Sequence, residues 1–169
     1  DMIPHMAVFI YPYVSWFPYI VVCAALAIKN LDDRQFKKAV LVLTTGMNIF
    51  LFISYVWPTG LDLRESIVYD LHTLSGNLLK FVQTVDTPKS VFPSMHVYVT
   101  LVLQYMLEMQ KKLVPAWGIW GGRVLAVLIV LSTMFTKQHS AVDVTAAIVM
   151  FAVLALAAEK LVKEPKEEN

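Results

Sequence analysis

Five long stretches of this chain are apolar and carry at most one charged side chain each: 2–28, 39–57, 91–107, 117–136 and 141–158. A helix needs about 20 apolar residues to cross a bilayer. Soluble domains contain about 25% charged residues, whereas this chain contains 16% and has a mean hydropathy of +0.60. A soluble all-helical protein of 169 residues could not bury all five runs. The sequence therefore predicts an all-α integral membrane bundle with five transmembrane helices.

Short charged or polar segments connect these runs, and no internal repeat or linker divides them. We therefore expect a single transmembrane domain over residues 1–169, with a charged tail from about 159 to 169. Pro12 and Pro18 predict a kinked or frayed first helix. Residues 71–82 have a weak helical pattern and are expected to lie along the membrane interface. Gly46 is expected to support close helix packing.

The distribution of Lys and Arg predicts the orientation, because cytoplasmic segments are enriched in them. Ten of the 14 fall on one side: Lys29, Arg34, Lys37, Lys38, Lys111, Lys112, Arg123, Lys160, Lys163 and Lys166. Four fall on the other: Arg64, Lys80, Lys89 and Lys137. The first side is predicted to be cytoplasmic, which puts the start of the chain outside. A helix before Asp1 would return the N-terminus to the cytoplasm, and these five would then be the last five of six.

Net charge and cysteine content limit the partners and the kinds of site that the chain can have. The net charge of +1 gives no reason to expect a nucleic-acid partner. The single cysteine, Cys23, excludes an intramolecular disulfide and a cysteine-based zinc site. The expected partners are the bilayer and a membrane lipid.

The segment KSVFPSMHVY, residues 89–98, has the pattern of a helix start. Pro93 is expected in the first turn, where its missing N–H is not needed. Ser94 and His96 are expected in the same turn. Free backbone N–H groups and the helix dipole make such a position a candidate anion site.

A second polar segment, STMFTKQHSAVD, covers residues 132–143 and places His139 and Asp143 one helical turn apart. Asp143 can orient His139, leaving its other ring nitrogen free as a nucleophile. His96 can then act as the acid. On the same predicted side, Arg64 and Lys137 are candidate phosphate clamps. Ser94 and Ser132 either donate to phosphate oxygens or bond to their own helix backbone.

These two segments resemble the second and third motifs of the type 2 phosphatidic acid phosphatase superfamily. The second motif contains a Ser-Gly-His or Pro-Ser-x-His turn. The third reads Ser-Arg, five residues, His, three residues, Asp, a spacing that Ser132, His139 and Asp143 match. Thr133 replaces the motif's Arg, and Lys137 is a candidate substitute. The first motif is not intact, since WPTGLDLRES offers only Arg64.

The resemblance covers the chain from about Trp57 to the end and implies metal-free lipid phosphatase chemistry without a cofactor. His139 would form a phosphohistidine, Asp143 would orient it, and His96 would protonate the leaving alcohol. The active site would face the periplasm, the extracellular side or an organelle lumen. Because the first and third motifs are incomplete, the chain also resembles the branch that contains the inositol phosphorylceramide and sphingomyelin synthases. Those enzymes transfer a lipid headgroup to an alcohol.

Two further interpretations stay open at this stage. Histidines near helix ends can ligate haem in an electron-transfer protein, although haem would not explain Asp143 or the motif spacing. The second interpretation is a catalytically inactive homologue, which is suggested by Thr133 in place of the motif's Arg.

Overall fold

The computed structural model describes residues 3–64, 67–86 and 89–162, and those residues form an all-helical bundle. A 3₁₀ turn (Ala7–Phe9) precedes helix α1. The helices are α1 (Ile10–Val14), α2 (Trp16–Asn30), α3 (Asp33–Val56), α4 (Leu74–Val85), α5 (Met95–Met109), α6 (Ala116–Phe135) and α7 (Ala141–Leu161). The last part of the predicted tail, 163–169, lies outside the described residues.

Among the described residues, four helical segments are long and apolar enough to cross a membrane: Ala7–Asn30, Asp33–Val56, Ala116–Phe135 and Ala141–Leu161. The third predicted span is different. It forms α5, which has only 15 residues and is therefore about 22 Å long at 1.5 Å per residue. The prediction of an all-helical, multi-pass membrane architecture is confirmed, but the count supported by length and composition is four rather than five.

Proline interrupts the first span, as predicted. Pro18 has no N–H to donate to the Val14 carbonyl, so α1 ends at Val14 and α2 begins at Trp16. The Ser15 hydroxyl between them donates to the Pro12 carbonyl at 2.6 Å. This break turns Tyr13 and Trp16 toward the start of α5, where both rings lie against His96.

Helix α5 lies at the centre of the bundle and packs against α2, α3, α6 and α7. Its residues Val97, Tyr98 and Val102 are completely buried. The Tyr98 hydroxyl donates to the Val42 carbonyl of α3 at 2.5 Å, and the ring lies directly over Gly46. The short helix is thus the one that the longer, membrane-length helices surround.

Replacing Gly46 with alanine is expected to destabilise the bundle. An added Cβ would lie 2.0 Å from the Tyr98 ring, which is buried and hydrogen-bonded and cannot move aside. Overpacking of this kind costs about 1–3 kcal/mol, so thermal unfolding followed by circular dichroism in detergent should occur at a lower temperature. Gly121→Ala in α6 is the matched control, because its Cβ would meet nothing within 4 Å. Equal melting temperatures for the two variants would contradict the prediction.

The connections place the polar groups at two opposite ends of the bundle. At one end, Lys38 of α3 pairs with Glu159 of α7, and Asn30 donates to Gln110 at 3.0 Å. At the other end, the Ser94 N–H donates to the Asp143 carbonyl at 3.2 Å, which fixes the start of α5 beside the start of α7. The predicted interfacial helix also lies here, as α4, with Leu79 buried against Ile10 and Tyr13.

Candidate active site

Ser94 determines where α5 begins. Its backbone is extended, and its hydroxyl accepts a hydrogen bond from the Val97 N–H at 3.3 Å, so Ser94 is the N-cap. Pro93 therefore precedes the cap, and the prediction that it lies in the first helical turn is wrong. His96 is the second residue of the helix and does lie in that turn.

A left-handed C-terminal turn carries the chain from α6 to His139. Lys137 has φ 58° and follows the C-cap residue Thr136. The Gln138 N–H donates to the Thr133 carbonyl at 2.9 Å, and the Lys137 N–H donates to the Met134 carbonyl at 3.0 Å. These two bonds form a Schellman motif. They end the helix and hold the next two residues, Gln138 and His139, in a fixed position.

Asp143 lies beside His139 and also caps α7. Its Oδ2 accepts from the Ser140 N–H at 2.7 Å and from the Ser140 hydroxyl at 2.8 Å, as part of a capping box. The same oxygen lies 3.9 Å from His139 Nδ1, which is too far for a hydrogen bond. The carboxylate is therefore held in place by Ser140 and faces the imidazole across a short gap.

The two histidines predicted from separate motifs lie close together. The ring centroids of His96 and His139 are 6.2 Å apart. The His96 ring lies between two aromatic rings, with centroids 4.8 Å from Tyr13 and 4.3 Å from Trp16. Aromatic faces attract a cation, but burial dominates and lowers the pKa of His96 to about 4, with Asp86 acting in the opposite direction.

Both histidines line a cavity of about 240 Å³. Arg64 enters it from the segment after α3, with its side chain 11% exposed. Arg64 donates from Nη1 to the Asp86 carbonyl and from Nη2 to Gln138 Oε1. Its Nη2 is also 3.6 Å from Asp86 Oδ2. The remaining lining residues are Phe50, Lys89, Ser90, Val91 and Met95.

Burial keeps the His139 imidazole neutral. His139 lies in the segment between α6 and α7, and burial lowers its pKa to about 3, with His96 acting in the same direction. A hydrogen bond with the Val91 backbone opposes this shift. At neutral pH the ring therefore has a free lone pair, which is the form that a nucleophile requires.

Not all the predicted phosphate ligands reach this cavity. Lys137 points away from it, and its Nζ donates to the Ile3 carbonyl. The Ser132 hydroxyl donates to the Ile129 carbonyl at 2.6 Å, and the Ser94 hydroxyl caps α5. For both serines the structure shows the backbone-bonded alternative. Arg64 is the predicted ligand that lines the cavity together with both histidines.

Several residues of the site could not be predicted from the sequence. Gln138 lies within the third motif, but nothing in its residue type or position there distinguishes it as a ligand. Asp86 and Tyr13 are linked by a hydrogen bond of 3.3 Å, although they are 73 positions apart. Only the fold brings them and Trp16 to the histidines.

Within the described parts of the chain, no three His, Cys, Asp or Glu side chains are grouped closely enough to hold a metal ion. No family model, curated protein or solved structure matches this chain.

Proposed function

We propose that this protein is an integral membrane lipid phosphatase of the type 2 phosphatidic acid phosphatase kind, acting through a phosphohistidine. The observation that carries the proposal is the juxtaposition of His96 and His139, 6.2 Å apart, in a cavity that Arg64 and Lys89 also line. One neutral, buried imidazole and one imidazole between aromatic rings supply a nucleophile and an acid. The cations supply the charge that binds phosphate.

In the first step, substrate replaces the hydrogen bond between His139 and the Val91 backbone. The ring, in the tautomer that carries its proton on Nδ1, attacks phosphorus through Nε2, the nitrogen away from Asp143. The bond from phosphorus to the lipid oxygen breaks, and protonated His96 gives its proton to that oxygen. The developing charge on His139 draws Nδ1–H toward Asp143, closing the 3.9 Å gap; such contacts often tighten only when substrate is bound. The phosphate anion itself favours the protonated form of His96.

In the second step, water attacks the phosphohistidine. His96 now takes a proton from that water, and the P–N bond breaks. The products are inorganic phosphate and the free imidazole of His139, so both histidines return to their starting states. The implied mechanism needs no metal and no other cofactor.

A lipid substrate is supported by the surroundings of the cavity. Val91 lines both the cavity and a second, mostly apolar pocket of about 310 Å³, whose other lining residues include Trp57, Leu61, Phe92, Val142 and Asp143. The phosphate would lie in the polar cavity and part of the lipid in the apolar pocket. The count of Lys and Arg predicts that this end of the bundle lies outside the cytoplasm.

A headgroup phosphotransferase is the second candidate, and Asp86 is the observation that favours it. Formal charges of +1 on Arg64, +1 on Lys89 and −1 on Asp86 sum to +1 among residues that line the cavity. This charge matches a phosphodiester monoanion, whereas a phosphomonoester dianion is matched only once His96 is also protonated. Product formation that requires an added alcohol acceptor would favour this candidate.

The experiment that tests the primary proposal is phosphate release from a panel of lipid phosphates by the purified protein in detergent. We expect release with EDTA present, because the proposed chemistry uses only side chains. Release that EDTA abolishes would contradict the mechanism. If no lipid phosphate releases phosphate, with or without EDTA, the phosphatase proposal is contradicted. The headgroup phosphotransferase would then be tested.

A further inference from the structure

Gln138 is a buried residue of the cavity to which the proposed mechanism gives no role. Its side chain is 1% exposed, and it lies between the outward-turned Lys137 and the nucleophile His139. The Schellman motif fixes its backbone through the bond to the Thr133 carbonyl. The backbone turn and the bond from Arg64 thus hold its amide group at the cavity that His139 also lines.

The orientation of that amide follows from Arg64. A guanidinium group has five N–H donors and no acceptor. Because Arg64 Nη2 contacts the end of the Gln138 side chain, that end must be the carbonyl oxygen, and Nε2 must lie on the other side. Nε2 is buried and has no hydrogen-bond partner among the described residues.

A second buried donor that lacks a partner in the described part of the chain belongs to another residue that lines this cavity. Arg64 Nε is also buried without a hydrogen-bond partner in the described structure. Buried donors are normally satisfied, and an exception calls for an explanation such as a ligand. Two such donors, on residues that are hydrogen-bonded to each other and line one cavity, point to an anion with several acceptor oxygens.

We propose that Gln138 is a substrate-binding residue whose Nε2 donates a hydrogen bond to a phosphate oxygen, while its Oε1 holds Arg64 toward the same phosphate. This inference rests on the proposed function and identifies a neutral ligand for the phosphate. It also assigns to Gln138 the role that the sequence suggested for Lys137, the candidate substitute for the motif's Arg.

Two substitutions separate phosphate binding from a purely structural role. Gln138→Glu keeps an acceptor for Arg64, replaces the Nε2 donor with an oxygen and adds a negative charge. Gln138→Met keeps the side-chain volume but removes both donor and acceptor. If Gln138 only held Arg64, the glutamate carboxylate would still pair with Arg64, and the glutamate variant would bind phosphate better than the methionine variant.

The test is the affinity of the full-length protein in detergent for inorganic phosphate, measured from ³¹P line broadening in the presence of EDTA. We expect binding to weaken about tenfold or more in both variants, the effect of losing a hydrogen bond to a charged group. Binding should be weakest in Gln138→Glu, because its added carboxylate repels the anion. Gln110→Met is the matched control, since Gln110 is equally buried but lies at the opposite end of the bundle, and its affinity should equal that of wild type.

The outcomes are distinguishable from failure of the proposed function. Wild-type binding with unchanged affinity in Gln138→Glu would overturn the role of Gln138 and leave the phosphatase proposal standing. Absence of phosphate binding by the wild type would overturn both. Circular dichroism melting of each variant shows whether a lost affinity reflects a lost fold.

Discussion

Replacing His139 with alanine should lower lipid phosphatase turnover by at least about 10⁴-fold, the scale seen when a covalent nucleophile is removed. The imidazole is buried and neutral beside Asp143. Among the described residues that line the cavity, no other candidate nucleophile faces a carboxylate in this way. The measurement is steady-state phosphate release, together with ³²P labelling of protein quenched during turnover. Wild type should retain an acid-labile label, and His139→Ala should retain none.

His72→Ala is the matched control, because His72 is an exposed histidine before α4, outside the cavity. It should label and turn over as the wild type does. A His139→Ala variant indistinguishable from wild type in both phosphatase and transferase assays would contradict the mechanism. That result would favour the non-catalytic homologue, and a Soret band in the purified protein would favour the haem protein.

Replacing His96 with alanine should lower turnover of a lipid phosphate by about 10²–10⁴-fold, the usual contribution of a general acid or base. The size of the loss should depend on the leaving group. An alkoxide needs a proton to leave, whereas nitrophenolate is a weak base and leaves without one. With nitrophenyl phosphate, His96→Ala should still release a first equivalent of nitrophenol and then accumulate phosphoenzyme, because the same histidine activates the water of the second step.

Rapid-mixing measurement of the nitrophenol burst checks this prediction. The same His72→Ala protein controls for general effects of removing a histidine. If the burst falls by the same factor as lipid turnover, His96 does not act by proton transfer to the leaving group. A positional role between Tyr13 and Trp16 would then be the better explanation.

The fold class was predictable because burial in lipid imposes a composition on each spanning segment. The absence of charge over 39–57 and the single charges in 117–136 and 141–158 identified α3, α6 and α7. The third run was harder to interpret. Its apolar character reflects the central position of α5 among four other helices rather than a length sufficient to cross the membrane. Composition cannot distinguish contact with lipid from contact with protein, since both environments are apolar.

The sequence alone determined the spacing of site residues that are close together in the chain. His139 and Asp143 are four positions apart, and His96 lies in the first turn of α5 as predicted, because helical spacing depends only on near neighbours. Only the tertiary structure decided which side chains meet across elements. It turned Lys137 toward Ile3, brought Arg64 to Gln138, and enclosed His96 between Tyr13 and Trp16. The physical reason is that a side chain's direction across a bundle is set by helix breaks and packing between distant segments, which residue spacing does not encode.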